Sequence, residues 1–221
     1  PQSSEESQHE SMLDTFKGYA VALRDFAFMA FLFAGILMGL VYQQLYNSLS
    51  VYLRDQHGID PQGYGFLLTA SAIVVILFQF SISRWMKYRP PFAMMAAGTL
   101  FYMVGFGMFG LVSHYVLFVL AVMIITLGEM LVVPTSQALA ANFAPEEMRG
   151  RYMAVFGLMW MLPATIGPGM AGVILDNYNP NLLWYIGAVL CAAAALAFYV
   201  LHVRLGAQAR FAPAEQESAA G

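Results

Sequence analysis

Charge is scarce in this chain. Only 10% of its 221 residues are Asp, Glu, Lys or Arg, against about 25% in ordinary soluble domains. The residues that replace them gather in apolar blocks of about 20, long enough to cross a bilayer as helices. Scarce charge in that pattern excludes a soluble globular class. Cysteine is scarcer still. Cys191 stands alone beside an alanine run, which excludes a disulfide framework and reads as a small packing residue. The four histidines (His9, His57, His114 and His202) fall in tails or at segment ends, so they make a poor ligand set. No zinc spacing, phosphate-cradling glycine loop or nucleophile elbow is present. The expectation is therefore no enzyme, no cofactor and no metal. A net charge of -3 makes no case for nucleic acid, because the cations sit in short loops.

What remains is apolar, at 60% of the chain, and it divides into six segments. They run over Phe26–Tyr52, Tyr64–Ile82, Phe92–Val112, Tyr115–Ala141, Arg151–Asp176 and Leu182–Val203. Gly58 and Pro61 mark a stop and a start between the first two. The fold class expected is all-α, a polytopic membrane protein with a six-transmembrane-helix bundle. Residues 1–24 read as a linker with a short interfacial helix over Met12–Leu23, whose apolar positions form a helical stripe. Residues 25–205 read as the bundle and 206–221 as a flexible tail. The sixth segment, alanine-rich and without central polarity, is expected to face lipid.

Polar groups inside the segments are few. Glu129 lies mid-segment in the fourth, where an ionised side chain costs about 2.5–3.5 kcal/mol on insertion scales. It needs a partner, a water-filled cavity or a proton. The first segment turns polar late, through Tyr42, Gln43, Gln44, Tyr46, Asn47, Ser48 and Ser50. Gln43, Gln44, Tyr46 and Asn47 are candidate cavity hydrogen-bonders, and Trp160 in the fifth segment is a candidate stacking surface. Pro134, Pro163, Gly167 and Pro168 are expected to bend or interrupt their helices, since proline removes an intrahelical bond. Counting Lys and Arg along six crossings places nine on the side of the termini and Arg54 alone on the other. The bias puts both termini in the cytoplasm.

The turn Pro145-Glu146-Glu147-Met148-Arg149-Gly150-Arg151, between the fourth and fifth of six helices, resembles a common feature of the major facilitator superfamily. On this resemblance the chain is similar to the C-terminal six-helix half of such a transporter. Gln79 to Lys87 (Q-F-S-I-S-R-W-M-K) resembles the family's loop pattern G-x-x-x-D-R-x-G-R/K. Arg84 and Lys87 match, while the glycines and the aspartate are replaced. Gly167 to Gly172 resembles the antiporter pattern G-P-x-x-G-G, and G-E-x-x-x-x-P around Glu129 resembles both peptide uptake and efflux members. The resemblance implies that the first and fourth helices line a central cavity and that two halves rock around a midplane site. It implies a bacterial inner-membrane location and an N-terminal six-helix half as partner, with protons, a small-molecule substrate and lipid. Glu129 is then a proton-coupling or substrate group. Proton-coupled efflux of drug-like molecules is the leading expectation; peptide or nutrient uptake and a non-transporting scaffold are the alternatives.

Overall fold

The computed structural model describes residues 19–208 and Phe211. Residues 19–24 are helical; the remainder of the expected interfacial helix, residues 12–18, lies outside the described residues. The chain then forms α1 (Phe26–Tyr42), α2 (Gln44–Asn47), α3 (Leu49–His57), α4 (Pro61–Met86), α5 (Pro91–Phe109) and α6 (Tyr115–Phe143). A 3₁₀ turn (Glu146–Met148) leads into α7 (Arg149–Phe156), α8 (Leu158–Asn177) and α9 (Asn181–Leu205). These make six candidate spans: α1 with α2, then α4, α5, α6, the segment Glu146–Asn177, and α9. No strand occurs among the described residues, so the all-α, six-helix membrane fold holds.

Local chemistry sets the ends. Asp25 caps α1, its Oδ1 accepting from the Ala27 and Phe28 amides at 3.1 Å. Asp60 caps α4 by accepting from the Gly63 amide at 2.8 Å, with Pro61 at the first helical position. Gly58 ends α3 in the left-handed region at φ 65°, where glycine carries no Cβ penalty. Three expectations need correction. The first segment is not one helix to Tyr52: it breaks at Gln43 and Ser48, the span closes at Asn47, and α3 is a separate helix. The fifth segment is interrupted at Gly157, not at Pro163 or Gly167-Pro168; α8 runs through both prolines, as α6 runs through Pro134. Each proline removes one donor only, and packing around it keeps the helix intact. Pro163 lies against Gly39 of α1. The carbonyl freed by Pro134, that of Met130, accepts from Gln79 Nε2 of α4 at 3.3 Å. The sixth segment does not simply face lipid: α9 packs on α5 and α1 and buries Trp184, Gly187, Cys191, Ala194 and Phe198.

Two glycine-lined contacts fix the spacing. In α5 and α6, Gly98 stands opposite Gly128, and Gly105 opposite Ala121. A Cβ on Gly98 would lie 2.9 Å from the Gly128 carbonyl oxygen, and one on Gly105 2.9 Å from that of Ala121. In α1 and α8, Gly35 meets Met159, and Gly39 meets the Met159 carbonyl and Pro163. Small residues let helix backbones approach closely where lipid offers no hydrophobic drive.

Aromatic clusters fill both ends. At the end carrying the termini, Phe28, Phe31, Phe92, Phe143, Tyr152 and Phe198 pack together, and Phe211 is buried on Phe92 and Phe143, holding that point of the tail on the bundle. At the other end, Tyr52 of α3 sits edge-on to Trp184, and its hydroxyl reaches the Phe109 carbonyl at 3.0 Å and Asn181 Oδ1 at 2.7 Å. The main packed pairs trace an arc α4–α6–α5–α9–α1–α8. The arms of that arc, α4 and the α7–α8 span, are the least buried, and α4 turns Phe66, Ile76 and Phe80 outward.

Two outcomes test this packing. Gly128→Ala places a Cβ 2.6 Å from the Gly98 carbonyl oxygen. It is expected to cost about 1–3 kcal/mol in thermal unfolding in lipid nanodiscs. Gly169→Ala, with nothing within 4 Å, leaves the transition unchanged. The second concerns His57, outside the spans, whose ring lies edge-on to Phe118 and Tyr52 with Nε2 buried and unpartnered. Desolvation lowers its pKa from the usual 6.5. The unfolded chain therefore takes up the proton first. Its contribution is complete above pH 6.5 and is lost as pH falls below that value. The difference in melting temperature between wild type and His57→Phe is expected to shift against wild type from about pH 8 to about pH 5.

Candidate functional site

Glu129 sits at the midpoint of α6, beside Gly128. The glycine explains the neighbourhood. A Cβ there would lie 2.8 Å from Cδ1 of Tyr102, so its absence admits the Tyr102 ring of α5 next to the carboxylate's helix turn. Tyr102 in turn stacks on Tyr42 of α1, with centroids 5.5 Å apart and planes at 28°. Trp160 of α8 meets Tyr42 edge-on at 5.8 Å. The Tyr42 hydroxyl donates to Glu129 Oε1 at 2.6 Å, in the range of a charge-assisted O–H···O⁻ bond. It also lies 3.1 Å from the hydroxyl of Tyr46, one turn further along. Among the described residues, no cation pairs with Glu129 and Tyr42 is its hydrogen-bond donor. Glu129 is half-buried and Tyr46 is 47% exposed, so the cluster opens to one side. It joins α6, α5 and α1, which lie between the arms α4 and α8 in the order of packed helices.

The structure brings together three of the residues named from sequence: Glu129, Tyr46 and Trp160. It does not bring Gln44 to them. Gln44 lies on the far face of the same helical run, buried against Gly167, donating to the Leu40 carbonyl at 2.9 Å and accepting from Ser48 at 2.6 Å. It lines a small, mostly apolar crevice between α1, α8 and α9. Gln43 is half-buried and Asn47 exposed. The loop residues are remote from the cluster. Arg84 is exposed in the last turn of α4 and Lys87 just beyond, its ammonium 5.9 Å from the Tyr88 ring. Glu146, Arg149 and Gly150 are exposed and Arg151 half-buried, all at the end that carries the termini. Tyr42 and Tyr102 were missed as site residues. Tyr42 carried a legible signal, four residues before Tyr46 on the same face. Tyr102 carried none, since an aromatic in an apolar helix is ordinary packing. No group of His, Cys, Asp or Glu that could hold a metal occurs among the described residues.

Comparisons with known proteins agree with one another. The model of the Major Facilitator Superfamily matches residues 26–220. A Na(+), Li(+), K(+)/H(+) antiporter of Planococcus maritimus is 29% identical over 174 residues, covering 72% of this chain and 41% of the antiporter. An uncharacterized MFS-type transporter of Bacillus subtilis, YttB, is 30% identical over 163 residues, covering 72% of this chain and 40% of that protein. In shape the chain is similar to a crystal structure of a POT family transporter in complex with 5-aminolevulinic acid. The TM-score is 0.72 at 18% identity, over 86% of this chain and 45% of the other. The chain thus spans less than half the length of the relatives it matches.

Tyr42→Phe keeps the aromatic stack and strips Glu129 of its donor. A loss of about 0.6–1.7 kcal/mol in nanodisc thermal unfolding is expected, with a smaller loss for Tyr46→Phe.

Proposed function

The chain belongs to the Major Facilitator Superfamily, and we propose that it serves as the C-terminal half of a secondary active transporter that exchanges protons for a small, cationic, drug-like solute, exporting it by alternating access. The observation that carries this reading is Glu129 itself: a half-buried carboxyl at mid-span, held by one phenol, with no cation beside it among the described residues and the exposed Tyr46 next to that phenol. Such a group alternates between a proton and an external cation, because either neutralises it. The aromatic rings around it suit the same ligand, since cations are attracted to ring faces. The relative from Planococcus maritimus supports exchange over one-way uptake, its name being that of a cation/proton antiporter.

In this reading an N-terminal six-helix half covers the open side of the arc, and the two halves rock about the Glu129 layer. Gln43 and Asn47, at the edge of the layer, complete the polar lining. The bias of Lys and Arg supports cytoplasmic termini in this reading, with the bacterial inner membrane as the location proposed. A second reading is proton-coupled uptake of peptides or other nutrients, with which the G-E-x-x-x-x-P pattern at Gly128 to Pro134 is equally compatible, since it resembles uptake and efflux members alike. The direction of solute movement separates the two.

The test is the full-length transporter in proteoliposomes with a pH-sensitive dye inside and a proton gradient imposed. Addition of Na⁺, K⁺ or ethidium is expected to release protons from wild type. Glu129→Gln is expected to lower that release at least about tenfold, the equivalent of 1.4 kcal/mol or more. Wild-type proton release from the variant would sink the assignment.

A further inference from the structure

Two phenols and one carboxyl stand in line. Tyr46 and Tyr42 are 3.1 Å apart at their oxygens, and Tyr42 is 2.6 Å from Glu129 Oε1. Each phenol has one proton to give, and an ionised carboxylate has none. With Glu129 ionised, the Tyr42 proton is committed to Oε1. The Tyr42 oxygen then accepts from Tyr46, and Tyr46 turns only lone pairs to the open side. With Glu129 protonated and donating to Tyr42, every arrow reverses. Tyr42 donates to Tyr46, and the Tyr46 O–H, its proton retained, turns toward the open side.

The rings themselves are not free to rearrange. Tyr42 is held between Tyr102, stacked at 5.5 Å, and Trp160, edge-on at 5.8 Å. Reversal therefore needs rotation of hydroxyl protons about C–O bonds and no movement of heavy atoms. One proton is gained at Glu129 from solvent, and both phenols keep their own. The groups that face Glu129 leave this chain undisturbed. From α1 they are Tyr42 and Tyr46. From α5 there is Tyr102, whose hydroxyl is fully buried without a partner. From α8 there is Trp160, which does not titrate. From α4, packed on α6, Ser71 reaches Thr126 at 2.8 Å, Tyr64 near Tyr46 has its hydroxyl proton committed to the Leu45 carbonyl at 3.0 Å, and no charged residue precedes Arg84 in its last turn.

We propose that Tyr46 is a specificity-determining residue that reads the protonation of Glu129 through Tyr42, presenting a hydrogen-bond acceptor to the open side when Glu129 is ionised and a donor when it is protonated. The ionised state accordingly takes a cation that carries N–H donors, a protonated amine. The protonated state meets the same ligand donor to donor and rejects it. The proposal rests on the reading of Glu129 as a group that changes its protonation, and adds to it how that change reaches the ligand.

The test needs no ligand. Infrared difference spectra are recorded on the intact protein in nanodiscs, labelled with ring-¹³C tyrosine and stepped between about pH 8.5 and about pH 4.5. The expected result is a carboxylic C=O band on acidification, absent in Glu129→Gln, accompanied by shifts of two tyrosine C–O bands. Tyr46→Phe is expected to keep the carboxyl band and lose one tyrosine shift. Tyr42→Phe is expected to keep the carboxyl band and silence the Tyr46 response. A carboxyl band that rises while the tyrosine bands stay still overturns the relay and leaves Glu129 as a proton site. No Glu129-dependent carboxyl band overturns both.

Discussion

One carboxylate placed at the middle of a 29-residue apolar helix constrains much of the rest. Left alone in lipid, its ionised form costs several kcal/mol, a large share of a marginal stability. Among the described residues, the partner that offsets that cost is a phenol and not a cation. A paired Arg or Lys would hold the carboxylate ionised and saturated. A phenol satisfies one oxygen and leaves the group free to gain a proton. The choice of Tyr42 over a basic residue therefore sets Glu129 apart from a structural ion pair.

Holding that phenol in place is the work of small residues far along the same helices. Gly98 and Gly105 draw α5 onto α6, and Gly128 opens the slot that Tyr102 enters. Gly35 and Gly39 draw α1 onto α8, which sets Trp160 against Tyr42. Two close helix contacts, one antiparallel and one parallel, thus converge on one aromatic layer. The end clusters around Phe143 and Trp184 enclose that layer above and below. Even the proline in α6 is folded into this arrangement, because the carbonyl it frees is taken by Gln79 of α4. The outer helix is tied to the site helix through the defect.

Much of this was legible in the sequence, and the limit is physical. Six apolar blocks and the distribution of Lys and Arg define the crossings, because the bilayer imposes length and polarity on every span. Glu129 stands out for the same reason. What the sequence could not resolve was which face each polar residue takes once a helix breaks. Gln43, Gln44, Tyr46 and Asn47 all read as candidate cavity hydrogen-bonders. In the structure Gln44 turns to α8 and satisfies itself on Leu40 and Ser48, while Tyr46 turns to Tyr42, which holds Glu129. The prolines misled in the other direction. Their missing donors are real, but an acceptor can be satisfied by a neighbour, so Pro163 and Pro168 sit inside an unbroken α8 while Gly157 ends α7. Tyr102 was beyond reach, since its role depends on a missing side chain at Gly128, far along the sequence but adjacent in space.

In the proposed transporter, the exposed side of the layer decides what kind of coupling is available. In the proposed exchange, proton and solute compete for one carboxyl. Competition is a coupling free energy of unfavourable sign, and it is reciprocal: the proton weakens the solute by the same factor that the solute weakens the proton. Exchange follows without any long-range conformational signal, provided that the site faces one side of the membrane at a time. Co-transport would need the opposite sign, with the proton strengthening solute binding, and hence a ligand that accepts a hydrogen bond from the protonated layer. The same three residues serve either sign. The chemistry of the ligand's first contact with Tyr46, donor or acceptor, then determines whether a Tyr46–Tyr42–Glu129 line behaves as an exchanger or a co-transporter.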